Sequence, residues 1–260
     1  MENSSNQIID VVIPAHEKDV DILDHSIKSI RKNIPNVRRI IVVSKKQFTQ
    51  KAEFFDESKY PFSYKEISEL SHNVRVGWHY QQLLKLYAPF VIPDISDNVL
   101  IIDADTVFYK KVKFFEGSKP LYNISKDKNL EKSAFHQDSF SHITTLIPEI
   151  YQKLPQKYHN LSGVCHHMLF QKKILQDLFD QVANNDKSET EFYKIFLKHS
   201  KGGNSVSEYN LYFYFLLSFY ADKHEIRILK YKNCAKFKPL LEIIRKKYHY
   251  CSYHDYMRKK

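Results

Sequence analysis

Apolar runs alternate with helically spaced apolar positions through the first hundred residues, and that alternation predicts the fold. "IIDVVIP" (8–14) reads as a buried strand ended by Pro14. "DILDHSIKSIRKN" (21–33) places Leu23, Ile27 and Ile30 on one helical face. "RRIIVVS" (38–44) reads as a second buried strand. A strand–helix–strand unit implies a parallel sheet, and its repetition implies an α/β layered fold. "GWHYQQLLKLYAPF" (77–90) predicts a helix with Leu83, Leu84 and Tyr87 toward the core. An apolar strand, "VLIIDADTVF" (99–108), follows it and runs into Asp103 and Asp105.

The pattern loosens after residue 110. "SHITTLIPEIYQKLPQKYHN" reads as a partly helical insertion. "GVCHHMLFQKKILQDLFDQVAN" begins as a short strand and turns helical near 172. "SVSEYNLYFYFLLSFY" reads as a helix, "EIRILKY" as a late strand, and "HSKGGNSVSE" as a loop.

Composition narrows the class of protein. The chain has 260 residues and is 43% hydrophobic, enough for a sizeable core. Its five glycines argue against a glycine-rich phosphate cradle. The net charge of +10 suits a phosphate-bearing ligand or an anionic surface. Lysines are scattered and no nucleic-acid motif occurs, so no nucleic-acid partner is expected. The basic, tyrosine-rich C-terminus suggests peripheral contact with a membrane face. Cys165, Cys234 and Cys251 lack metal-site spacing and read as reduced thiols in a cytoplasmic setting. "MENSSNQ" lacks a secretory apolar core, and no run of about 18 apolar residues occurs.

Ligands of open parallel sheets bind beyond the carboxyl ends of strands, where Asp103 and Asp105 fall. Two carboxylates so close repel unless a cation sits beside them. A divalent ion with oxygen ligands is one remedy, and a diphosphate would complete it. A strand end closed by an Asp turn is the structural alternative.

The ordered segments "VVIPAHEKD" (11–19), "VRRIIVVS" (37–44), "GWHYQQLLKLY" (77–87), "LIIDADTVF" (100–108), "SGVCHHMLF" (162–170), "SEYNLYFYF" (207–215) and "YHDY" (253–256) span nearly the whole chain. Together they resemble nucleotide-sugar-dependent glycosyltransferases of the GT-A fold, within a poorly characterised bacterial and viral family. The resemblance implies one GT-A domain over 1–260. Residues 1–110 would be its nucleotide-binding half, and 111–260 its acceptor-binding half with a metal-ligand tail. It implies transfer of a sugar from a UDP- or GDP-linked donor to a glycan, lipid-linked or protein hydroxyl, with Mn²⁺ or Mg²⁺ as cofactor.

The resemblance also implies residue roles. Pro14, Ala15 and His16 would hold base and ribose, His16 being equally a turn residue. Asp105 would bind the metal, and Asp103 the ribose or metal-bound water. Small Ala104 would allow close approach of the ribose. Trp78, Gln82 and Lys85 share a helix side. Lys85 and Arg75 are phosphate candidates, and Gln82 would meet a hydroxyl or a backbone group. Of the adjacent His166 and His167, at most one faces the cleft, to bind sugar hydroxyls or phosphate; a zinc site is the weaker idea. Glu208 is either the base of an inverting transfer or the closing residue of a Ser205-x-x-Glu208 capping box, third in the helix. Retention would follow if no carboxylate lies beneath the anomeric carbon, and Asp138 and Asp94 are fallback carboxylates. His254 would be a third metal ligand, with His249 its rival. A nucleotidyltransferase is the enzymatic alternative, although "IPAHEKDVD" lacks its glycine-rich loop. A non-catalytic basic module for glycan or nucleic acid is the other.

Overall fold

The computed structural model describes residues 7–72, 74–125, 130–200, 206–235 and 246–254. Strand β1 (Ile9–Pro14) leads through helix α1 (Val20–Asn33) to β2 (Val37–Ser44) and then β3 (Glu53–Asp56). Helices α2 (Tyr64–Leu70) and α3 (Val76–Val91) precede β4 (Asn98–Ile102). Short strands β5 (Thr106–Phe108), β6 (Phe115–Glu116) and β7 (Lys119–Asn123) follow, then α4 (Ala134–Leu146) and α5 (Glu149–Lys153). Next come β8 (His167–Gln171), α6 (Lys172–Asn185), α7 (Phe192–Lys198) and α8 (Glu208–Phe219). The last strands are β9 (Glu225–Arg227), β10 (Tyr231–Asn233) and β11 (Tyr250–Ser252).

The main sheet has the order β3-β2-β1-β4-β8, with four parallel strands and an antiparallel edge strand. The chain builds outward from β1 to β3, then crosses to the other side of β1 with β4. Ligand crevices open at such a switch, beyond the strands' carboxyl ends. The expected layered α/β fold, with flanking helices and a mixed C-terminal part, is what the chain forms. One apolar cluster joins β1, β2 and β4 to α3, β8 and α8. Among the described residues, no helix is long and apolar enough to cross a membrane.

Several local readings change. The insertion turns helical from Ala134, before the expected 141. "EIRILKY" splits into β9 and β10, which belong to different sheets. The stretch around β3 carries no periodic signal, because only Phe55 of its four residues is buried. Ser205 lies outside the described residues. The cap of α8 is Ser207, whose hydroxyl accepts from the Asn210 N–H. Glu208 is therefore the first helical residue rather than the third, and the capping box from Ser205 does not describe this helix.

The third small sheet-forming element matters most for the site. β11 pairs antiparallel with β5, Ser252 opposite Thr106, and parallel with β10. It returns the end of the chain to the strand that follows Asp105.

Candidate functional site

β4 is buried along its whole length and ends at Ile102. The Thr106 N–H donates to the Asp103 carbonyl at 3.0 Å, so Asp103, Ala104 and Asp105 form a tight link into β5. Alternation turns the two acids outward and Ala104 inward. Ala104 packs in the apolar cluster and leaves almost no surface for a ribose.

Lys85 lies where sequence reading did not put it. The face formed by Trp78, Gln82 and Lys85 is not solvated but clasps the start of α8. Trp78 Nε1 and Gln82 Nε2 donate to the Val206 carbonyl at 3.4 and 3.3 Å. Gln82 Oε1 accepts from the Glu208 N–H at 2.9 Å, so Gln82 takes the backbone option. Lys85 Nζ donates to Asp103 Oδ1 at 2.6 Å and Glu208 Oε1 at 2.7 Å. It also lies 4.3 Å from the Tyr209 ring centroid, a cation–π contact. The Tyr209 hydroxyl donates to Asp103 Oδ1 at 3.0 Å. The ammonium is thus held by two carboxylates rather than presented to a phosphate. Burial disfavours its charge, but Asp103 and Glu208 outweigh that and raise its pKa. Burial likewise pushes Asp103 up, but Lys85 and His166 hold its carboxyl well below the usual carboxylate range.

Each acid of the pair has one oxygen satisfied by the protein and one facing an imidazole. Asp103 Oδ2 lies 3.5 Å from His166 Nδ1. Asp105 Oδ1 accepts from the Ser252 hydroxyl at 2.7 Å, and Asp105 Oδ2 lies 3.6 Å from His254 Nδ1. The two imidazole rings are 4.9 Å apart. His166 reaches this position through a left-handed backbone, φ 65°. Its carbonyl accepts from the Asp103 N–H, and its Nε2 donates to Asn233 Oδ1 at 3.1 Å. His167 points the other way, fully buried 2.6 Å from the Asn123 side-chain nitrogen. Burial lowers its pKa to about 3, so it is a neutral core histidine. His249 accepts from the Lys230 N–H instead of meeting Asp105. Asp138 and Asp94 are exposed and away from this cluster.

The donor set suits a hard divalent ion: carboxylate oxygens with imidazole nitrogen. Asp105 Oδ2 and His254 Nδ1, 3.6 Å apart, are one such carboxylate–imidazole pair. Among the described residues, no three His, Cys, Asp or Glu side chains already converge on an ion.

A cavity of about 590 Å³ opens at the carboxyl ends of β1, β2 and β3. Pro14, Ala15, His16 and Lys18 line it after β1, Lys45 after β2, and Glu57 after β3. Tyr64 and the α3 residues Gly77, Tyr80, Gln81 and Leu84 close the other side. That volume falls in the range of small-molecule sites. Its lining stops at Leu84; the next residue, Lys85, carries the connection to Asp103. His16 is both a turn and a cavity residue: its Nδ1 faces the Lys18 N–H at 3.5 Å. Arg75 stands exposed at the cap of α3, φ 45°, over the Trp78 ring. Lys45, Glu57, Tyr64, Tyr80, Tyr209 and Ser252 were not singled out from the sequence; the one available signal was for Lys45, just past the expected strand 38–44.

Fold and site together define an α/β protein with an acid–imidazole cluster and a nucleoside-sized crevice on either side of β1. Residues 3–234 match the model of a family described as "Family of unknown function (DUF6492)", and the chain belongs to that family. No curated protein matches it in sequence. Among solved structures, it is similar to the WbbM bifunctional glycosyltransferase in its apo form, at 13% identity and TM-score 0.48. That match covers 97% of this chain, which spans about half, 47%, of the WbbM chain. It is also similar to the active-site mutant Q189E of LgtC, at 12% identity and TM-score 0.43, over 94% of this chain and 86% of that one.

Proposed function

We propose that this protein is a metal-dependent glycosyltransferase, moving a sugar from a nucleoside-diphosphate sugar to an acceptor hydroxyl. The observation that carries the reading is the two acid–imidazole pairs, Asp103–His166 and Asp105–His254, just past the end of β4, in a fold whose neighbouring strands β1 to β3 end at a cavity. The cavity takes the nucleoside, and the diphosphate lies toward the acids. Asp105 and His254 would hold Mn²⁺ or Mg²⁺, with diphosphate oxygens filling other positions. Bound there, the ion would supply positive charge to the departing diphosphate.

The chain's own groups do the rest. Lys85 and Tyr209 fix Asp103 Oδ1 and leave Oδ2 for the ligand face. His166 faces the same space as a hydroxyl or phosphate partner. Glu208 acts as an inverting base only if its free oxygen meets the acceptor, because Oε1 carries the Lys85 ammonium. Arg75, exposed at the start of α3, is the other candidate phosphate cation. The acceptor is a glycan, lipid-linked or protein hydroxyl.

The test is hydrolysis of a panel of nucleotide sugars with Mn²⁺, by wild type and Asp105→Asn. Wild type should release nucleoside diphosphate from one donor, and Asp105→Asn should lose that release while keeping its melting temperature. Release that persists at the wild-type rate would remove Asp105 from the reaction.

A further inference from the structure

Glu57 is the one carboxylate among the described residues that line the cavity. It sits in the 3-10 turn Glu57–Lys59 just beyond β3 and lines the pocket with Lys45, Tyr64, Tyr80 and Gln81. Its side chain is half-buried, and burial pushes its carboxyl up while Lys45 pulls it down. Among the described residues, none donates a hydrogen bond to its carboxylate. The carboxylate keeps contact with water but lacks such a donor, so its acceptor oxygens are open to a ligand that brings N–H groups.

An ionised carboxylate offers two acceptor oxygens and no donor. The nucleobases answer that pattern differently. Guanine presents two donors side by side, the ring N1–H and the exocyclic N2–H. Uracil presents one N–H between two carbonyls, so a carbonyl lone pair would face the second carboxylate oxygen. Adenine and cytosine set an amino group beside a ring nitrogen lone pair, with the same conflict. Lys45, close enough to act on Glu57 electrostatically, suits the O6 carbonyl next to guanine N1–H. Tyr64 and Tyr80, with ring centroids 5.4 Å apart and edge to face, supply aromatic surface for a base.

Resting on the nucleotide-sugar reading above, we infer that Glu57 is the residue that reads the base, and that the donor nucleotide is guanosine-linked. The experiment is calorimetric titration of GDP, UDP, ADP and CDP, each with Mn²⁺, into wild type and Glu57→Gln. GDP should bind wild type on the order of tenfold to hundredfold more tightly than the others, the discrimination of a good two-point base contact. Glu57→Gln, which replaces one acceptor by a donor, should erase most of that preference through weaker GDP binding. UDP or ADP binding as tightly as GDP overturns the inference on wild type alone, whatever the variant does. A GDP preference unchanged in a Glu57→Gln protein with the wild-type melting temperature also overturns it, and leaves the glycosyltransferase reading standing. Failure of all four nucleotides to bind sinks both.

Discussion

Replacing Lys85 by methionine keeps the length of the side chain and deletes its charge. Two carboxylates then lose their shared cation: Glu208, 5% exposed, and Asp103, 23% exposed. Removing one partner of a buried ion pair costs about 3–5 kcal/mol, because the other charge stays buried and unpaired. Asp103 keeps an open edge, which places the loss toward the lower end of that range. Against a total stability of about 5–15 kcal/mol for an ordinary domain, such a loss is large but survivable. The pH dependence carries the sharper signature. In wild type the folded-state pKa of Asp103 is depressed, so its contribution is present above the unfolded value, about 3.9, and lost as pH falls through the folded one. The raised Lys85 contributes fully below its unfolded value, about 10.4, and loses that contribution only as pH rises through the folded one. Both are therefore in force at neutral pH. In the methionine variant the carboxylates gain by taking up protons, so the gap from wild type should shrink as pH falls. Urea unfolding followed by circular dichroism at about pH 7.5 and pH 5 measures this. Adding Glu208→Gln should restore part of the stability at about pH 7.5. A gap below about 1 kcal/mol, or one equal at both pH values, would refute the clamp, since a pair worth so little belongs on the surface.

A β-carbon on Gly163 would come within 2.7 Å of Phe213 Cβ, so Gly163→Ala should destabilise the protein by about 1–3 kcal/mol in a thermal melt. Glu208→Gln divides two roles: loss of transfer with a small change in melting temperature marks a base, and the reverse pattern marks a structural partner of Lys85. His254→Ala should weaken Mn²⁺-dependent nucleotide binding at least tenfold in titration while leaving the fold intact; unchanged affinity would release His254 from the site. The point variant is needed because Tyr250, Cys251 and Tyr253 are buried, and a truncation before them would remove β11 from its sheet.

The fold was legible wherever one period dominated. β1, the second half of β2 and β4 carry mostly apolar runs because both their faces are covered, and α1 keeps its apolar residues at helical spacing. β3 was not legible, since an edge strand with one buried side chain resembles a loop. The acid pair was legible as a pair at a strand end, and the resemblance named His254, which the structure places 3.6 Å from Asp105. The direction of the Lys85 side chain was not. Its helix position fixes which face it shares with Gln82, but only the docking of α8 makes that face interior. The same holds for His166 and His167: alternation says they diverge, and tertiary structure says which one meets Asp103. Glu57 and Lys45 required knowing that the ends of three strands enclose one cavity.

The hydroxyl that steadies Asp105 comes from Ser252, 147 residues further along the chain. Contacts of such separation are among the slowest to form, because a long loop must close before they are rewarded. As the chain emerges from the ribosome, the acidic tip of β4 is therefore present long before its last partner. The acid–imidazole corner is completed only when β11 pairs with β5, after β4 has been made. A nascent chain stalled short of Ser252 would have its crevice and acids in hand, but not the strand that aims them.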